Sequence, residues 1–375
     1  MADSSTKKIL IISSEFPPNV GGIGKHAYHI AKYLSKENFD VAVVADIINV
    51  DKEQLHTFQK DNSFKFYPVK RSAFTPFTYA ERIVKALYHA KNANVIICSG
   101  KFSIWTANAL KKFYKNKKFV AIVHGTELLL PQKRDRLLTK SALQKFDSII
   151  AVSQFTKNLL PESIKDKQNI LVIPNGIDIK EFEPHLQEKK IEPEENIELI
   201  TVGSQSERKG QINVINAMPE LLKYFSKIHY HIVGKPVIQQ QLNDAAKRLS
   251  VEKNITFHGV ASTTELINLL KHTHVKLMLS NNTSYGDVEG FGIAVLEANA
   301  LGLPAIGSLN TGLEDAIDNY KTGILVDAKN TEAIVQALEE IISDYGFYSA
   351  NAIKWAKKHD WSLLIKNYIK VLDQL

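Results

Sequence analysis

Two glutamates in the stretch "EGFGIAVLEANALGLPAIGS" (289–308) stand eight positions apart. Glu289 precedes a glycine-bounded turn, and Glu297 falls on the apolar run behind it. A carboxylate accepts two hydroxyl hydrogen bonds, so this spacing suits a ligand with hydroxyls at both ends. Gly290, Phe291 and Gly292 lead into a helix predicted to start near Ile293. Glycines let backbone N–H groups approach a ligand closely, and a helix N-terminus favours negative charge. A diphosphate fits there, with a ribose diol at Glu297 and sugar hydroxyls at Glu289. A helix-start acid and a surface glutamate would give the same letters, but Glu297 lies among Val295, Leu296 and Ala298, which argues against a fully solvated face.

Cations come from "VGSQSERKGQ" (202–211), where Arg208 and Lys209 precede Gly210 after a strand and can neutralise phosphate oxygens. A basic turn has the same composition. "NVGGIGK" (19–25) is a second glycine loop before a helix; its G-G-x-G spacing is not the dinucleotide fingerprint. "VHGTE" sets His124 just after a strand expected to end in the cleft, a place where a lone histidine is more often structural. "VIPNGID" (172–178) reads as a tight turn. The chain has no Asp-x-Asp, no Cys/His cluster and no G-x-S-x-G. A carboxylate-bound divalent ion, a zinc site and a serine hydrolase therefore lack their usual signals. Metal-independent chemistry with no cofactor is the expectation.

These segments need elements to hold them. The N-terminal half alternates β-branched runs ("KKILIIS", "FDVAVVA", "ANVIICSG", "KFVAIVHG", "DSIIAVS", "NILVIPNG") with helical patterns. In the first helix Ala27, Ile30, Ala31 and Leu34 share one face. Near 183–196 "EPHLQEKKIEPEEN" is polar, proline-containing and aperiodic, and reads as a linker. The alternation then restarts with "IELITVGS", "KIHYHIVGK", "NITFHGVAS" and "HVKLMLS", with helices from Gln211, about Gln239 and Thr263. Strands separated by helices imply parallel sheets, so two doubly wound α/β domains are expected, facing across a cleft at the carboxyl ends of their strands. The expected divisions are 1–182 and 183–359.

Composition narrows the setting. A chain of 375 residues, 44% hydrophobic and 23% charged, is ordinary for a two-domain globular protein, and its longest apolar runs fall far short of the about 20 residues of a membrane span. The lone Cys98 excludes intramolecular disulfides and, with no signal-peptide pattern at the start, fits a cytoplasmic protein. Charge is uneven: residues 1–180 hold 28 Lys+Arg against 15 Asp+Glu, whereas 181–375 hold 19 against 25. The basic half, with Phe102, Trp105, Phe113 and Tyr114 interleaved, suits an anionic membrane surface or a solvated basic face; nucleic acid is not expected.

In order, "GGIG", "HGTE", "VIPNGID", "VGSQSERKG", "EGFGIAVLEANALGLPAIGS" and "TGILVD" resemble the retaining glycosyltransferases of family 4, over essentially the whole chain. The resemblance implies the GT-B fold: two Rossmann-like domains, the first for the acceptor, the second for a nucleotide-sugar donor, with the last helix (about 360–375) returning to the first. By the same resemblance the candidate catalytic residues are Glu289, His124 and Lys209. Gly22, Arg208, Lys209, Gly290, Phe291, Gly292 and Glu297 would bind the donor, with the base near Thr256–Ser262. One departure stands out: the family commonly has Gly-Arg where this chain has Gly203-Ser204, leaving Arg208 as the possible substitute. "GDVEGFG" resembles the mannosyltransferase and lipid-linked-sugar members, which tilts the donor toward GDP-mannose over a UDP-sugar. The implied acceptor is a glycan or lipid-linked sugar of the cell envelope, reached by an enzyme peripheral at the inner face of the membrane. A GT-B sugar-nucleotide epimerase and a non-catalytic GT-B partner subunit are the alternatives.

Overall fold

Runs of β-branched residues too short and too uniformly apolar for a one-sided strand must be covered on both faces, which only crossover helices achieve. The computed structural model, which describes residues 6–18, 21–48, 50–72, 74–166, 169–186 and 196–375, realises this twice. Contacts divide the chain into one unit of Met1–Asn175 with Trp361–Leu375 and a second of Gly176–Asp360.

In the first unit the strands are β1 (Lys8–Ser13), β2 (Asp40–Ile47), β3 (Lys65–Lys70), β4 (Val95–Ser99), β5 (Lys118–Val123), β6 (Ser148–Ala151) and β7 (Asn169–Val172). They form one parallel sheet in the order β3-β2-β1-β4-β5-β6-β7. The helix Gly22–Lys36 buries the predicted face of Ala27, Ile30, Ala31 and Leu34 completely. Cys98 is buried in β4, where desolvation pushes its thiol pKa up. The terminal helix Trp361–Asp373 packs on Gly22–Lys36: Trp361 is fully buried and stacks on His29, and the Tyr368 hydroxyl lies 3.0 Å from His26 Nε2. Two elements escape sequence patterns. β3 carries Pro68, which an edge strand tolerates because one side of its ladder is unpaired. The irregular stretch 71–79 opens the helix Thr75–Ala90, with Pro76 in the first turn where no backbone donor is needed; Ala73 lies outside the described residues.

The second unit holds β8 (Ile197–Val202), β9 (Ile228–Val233), β10 (Ile255–Gly259), β11 (Val275–Met278), β12 (Ala305–Ser308) and β13 (Gly323–Val326), parallel in the order β10-β9-β8-β11-β12-β13. The order reverses direction between β8 and β11, so loops leaving those two strands define the crevice where such sheets take ligands. Leu199, Tyr230, Val275 and Leu277 belong to one core under the helices Gln211–Tyr224 and Thr331–Ser343. Of the linker expected at 183–196, Glu183–His185 is a single 3₁₀ turn, and 187–195 lie outside the described residues.

Candidate active site

The loop leaving β8 is pinned at both ends. Gly210 has φ +68, and a Cβ there would sit 1.7 Å from the Leu279 carbonyl oxygen, so no other residue fits without moving the strand end. Asn213 Nδ2 donates to the same carbonyl at 2.8 Å and to Asn281 Oδ1 at 3.0 Å, tying this loop to the one that leaves β11. At the other end the stem of Lys209 lies over Gly203, whose missing side chain makes the room.

Held this way, the two cations meet Glu289. Lys209 Nζ donates to Glu289 Oε2 at 2.7 Å, Arg208 Nη1 donates to the same oxygen, and Arg208 Nε lies 3.1 Å from Asp287 Oδ1. Burial alone would raise the Glu289 pKa, but Lys209 and Arg208 outweigh it and hold the carboxyl below its usual range. Burial lowers Lys209, and Glu289 only partly restores it; burial also acts on Arg208, where Glu289 and Asp287 prevail and raise it. The result is a charged, largely desolvated cluster with two cations converging on one carboxylate oxygen. Ser204, where the family pattern has arginine, is exposed, and Arg208 brings its guanidinium to Glu289 instead.

The glycine turn follows Glu289 directly. Gly292 caps the helix Ile293–Ala300 with φ +99, and a Cβ would lie 2.5 Å from Leu313 Cδ2. The ring of Phe291 is buried near His359, so this residue presents only its backbone to the turn. Glu297 is half-buried on that helix. Beneath it lies Lys276 on β11, fully buried and missed in the sequence because it interrupts an otherwise apolar strand. Among the described residues its Nζ has no hydrogen-bond partner.

Gly22 and His124 belong to the first unit. Gly22 is the first helical residue, and a Cβ there would meet nothing within 4 Å, so its lack of a side chain leaves open space in front of the helix. Nearby, Gly24 is needed by the fold, since a Cβ there would lie 2.9 Å from the Glu15–Phe16 backbone, whereas a Cβ at Gly21 would meet only the movable carboxylate of Glu15. His124 lies at the end of β5 with Nε2 2.9 Å from Ser99 Oγ, while its backbone N–H donates to Glu127 Oε1 at 2.7 Å. Burial lowers the His124 pKa to about 4 and raises that of Glu127 to about 7. His26, edge-on to His124 at 5.1 Å, is lowered as well by burial and by the neighbouring histidines. Sequence reading passed over His26 and Glu127; only the "HGTE" block hinted at the latter.

A cavity of about 700 Å³ lies elsewhere on the second unit, lined by His229, His231, His258, Val260 and Ala261 among others. It overlaps the Thr256–Ser262 stretch expected to hold the base but includes none of Arg208, Lys209 and Glu289. Among the described residues no cluster of three or more His, Cys, Asp or Glu side chains is arranged to hold a metal ion, and no helix is long and apolar enough to cross a membrane.

Residues 182–359 match the family profile described as Glycosyl transferases group 1, and residues 20–181 match Glycosyltransferase Family 4. A GDP-mannose-dependent monoacylated alpha-(1-6)-phosphatidylinositol monomannoside mannosyltransferase of Corynebacterium glutamicum is 26% identical over 353 residues, covering 91% of this chain and 90% of that one. Among solved structures, sucrose-phosphate synthase from Thermosynechococcus elongatus superposes with a TM-score of 0.79 at 18% identity, covering 98% of each chain. Anabaena HepE in complex with UDP and glucose superposes with a TM-score of 0.76 at 17% identity, over 98% of this chain and 100% of that one.

Proposed function

This chain belongs to the family 4 glycosyltransferases of GT-B fold, and we propose that it moves a hexose, with retention of anomeric configuration, from a nucleoside diphosphate sugar to a glycan or lipid-linked acceptor of the cell envelope. The observation that carries the reading is the Arg208–Lys209–Glu289 cluster beside the Gly290–Gly292 turn. Two desolvated cations and the start of a helix suit a diphosphate, and the carboxylate that orients them suits sugar hydroxyls. Arg208 and Lys209 would take the diphosphate, Glu289 the sugar and Glu297 the ribose. His124 and Gly22 are assigned by resemblance, His124 to the sugar and Gly22 to the phosphates.

In this mechanism the acceptor hydroxyl attacks C1 from the face the nucleotide leaves. The C1–phosphate oxygen bond breaks, the new glycosidic bond forms, and the hydroxyl proton passes to the departing phosphate. The protein's share is position and stabilisation of the charge that grows on the leaving diphosphate, and Lys209 and Arg208 are already desolvated for that purpose. No metal is required in this reading, so a chelator should leave the rate unchanged.

GDP-mannose is the preferred donor, supported by the "GDVEGFG" pattern and by the GDP-mannose dependence in the name of the Corynebacterium relative. The deciding experiment is thermal stability with GDP, UDP and ADP in turn. A ligand at about 100-fold over its Kd adds about 2.7 kcal/mol, so a shift with one of them names the base, and no shift with any overturns the reading. Proton NMR of the product from an α-linked donor tests retention, since a β-linked product excludes it. A peripheral place at an anionic membrane is supported by the excess of basic residues and by the exposed Phe77, Val84 and Tyr88 on the helix Thr75–Ala90. Binding equal for anionic and neutral vesicles would remove that part.

A further inference from the structure

Lys276 is the unexplained residue of the second unit. A lysine is almost never fully buried unless paired, yet Lys276 is fully buried and its Nζ has no hydrogen-bond partner among the described residues. It lies on β11, between Ile200 of β8 and Ala305 of β12, where the sheet order reverses. The flanking Val275 and Leu277 belong to the core on one face of the sheet, so Lys276 turns to the other face, that of the helix carrying Glu297. The charged groups acting on it are Lys209 from the loop after β8, Glu297 from that helix and Glu289 from the loop after β11. Neither Ile200 nor Ala305, its partners in the sheet, can titrate.

We propose that Lys276 is a third cation of the donor site, and that binding of a nucleoside diphosphate carries one proton from solvent onto its Nζ. This rests on the donor reading above. In the ligand-free protein, burial lowers the Lys276 ammonium to about 7, Lys209 pushes the same way, and Glu297 and Glu289 pull back. A diphosphate held by Lys209 and Arg208 cancels the repulsion from Lys209 and adds negative charge nearby, so the bound state favours the ammonium. The sign follows: below pH 7 the amine is charged before and after binding, whereas above it the proton arrives with the ligand. Affinity should therefore fall as pH rises from 7, and no such fall should come from Lys276 below it.

The test is titration calorimetry with GDP and UDP at pH 6, 7 and 8, each in buffers of different ionisation enthalpy, on the native chain and on Lys276→Met. The native protein should take up more protons than the variant, by close to zero at pH 6 and approaching one at pH 8. Taking the difference removes the nucleotide's own phosphate titration. At pH 7 Lys276→Met should bind about tenfold or more weakly, the loss expected for one hydrogen bond to a charged group. Binding with identical proton uptake in both chains overturns the proposal and leaves the donor reading standing, because a merely structural lysine would not move that number. Failure of the native chain to bind either nucleotide overturns the donor reading and this inference with it. Native proton uptake that stays flat from pH 6 to 8 overturns the proposal even should Lys276→Met fail to fold.

Discussion

Two strand ends in this molecule receive ionisable groups under similar burial and treat them in opposite ways. At the end of β5, His124 and Glu127 are desolvated without a compensating charge, and each is driven toward its uncharged form. At the end of β8, Arg208 and Lys209 are also largely desolvated, but they meet Glu289 from the loop after the adjacent β11, and the carboxylate keeps its charge below the usual carboxylate range. Burial alone neutralises; burial with a partner preserves the charge. The first arrangement can offer only neutral hydrogen bonds to a ligand. The second stores cations that a diphosphate can recruit, with Glu289 holding them in place meanwhile.

The largest test of this contrast is removal of the ions. Lys209→Ala and Glu289→Ala should each lower kcat/KM for transfer by about 10²–10³ or more, the scale of losing one preorganised electrostatic contact. Full activity of either variant with the fold intact would refute the assignment. Stability should respond differently. Glu289→Ala leaves the buried Lys209 ammonium unpaired and should cost up to about 3 kcal/mol. Lys209→Ala should cost less because Arg208 still pairs with Glu289. The double variant Lys209→Met with Glu289→Leu, which leaves Arg208 to Asp287, should recover most of the larger loss in a urea melt. Its transfer activity should stay lost. A double variant as unstable as Glu289→Ala would mean that the pair holds the loop by more than charge.

A smaller loss is expected further along the helix. Glu297→Ala should weaken nucleoside diphosphate binding by about 10- to 100-fold, the range for hydrogen bonds to a charged acceptor, with little change in the rate at saturating donor. A fall in kcat with KM unchanged would move Glu297 from the ribose to the reacting sugar.

How much of this was legible in advance follows from what each feature depends on. The two parallel sheets were legible because their strands are apolar runs on a helix-separated rhythm; the helix starts at Gln211, Gln239, Thr263 and Ile293 were placed correctly from the chain alone. β3 was not, since Pro68 breaks the usual strand signal, and β12 and β13 are four-residue strands inside motif blocks that draw the eye for other reasons. Within the site, Glu289, Lys209 and the glycine turn were named from local spacing. Their convergence was not, because it needs β8 and β11 to be neighbours, a property of sheet order that no local pattern carries. Lys276 was invisible for a related reason: a lysine inside "HVKLMLS" reads as the outward residue of a strand until the helix above it is known.

The smallest effect concerns the uncharged pair, and it has a sign for each partner. Glu127 has a folded pKa of about 7, above its ordinary 4.5, so between those values the native state binds more protons than the unfolded chain and stability falls as pH rises. His124 has a folded pKa of about 4, below its ordinary 6.5, so the unfolded chain binds more protons and stability rises across that window. From about pH 4.5 to 6.5 the two slopes oppose each other. Glu127→Gln keeps an oxygen to accept from the His124 N–H and removes the falling slope, so its stability relative to the native chain should climb with pH. His124→Asn should do the reverse. Chemical denaturation at pH 5, 5.5, 6 and 6.5 reads both, each bounded by about 1.4 kcal/mol per pH unit for one proton. Slopes of the same sign in the two variants would show that one partner is charged in the folded protein, and the contrast between the two strand ends would then fail at β5 rather than at β8.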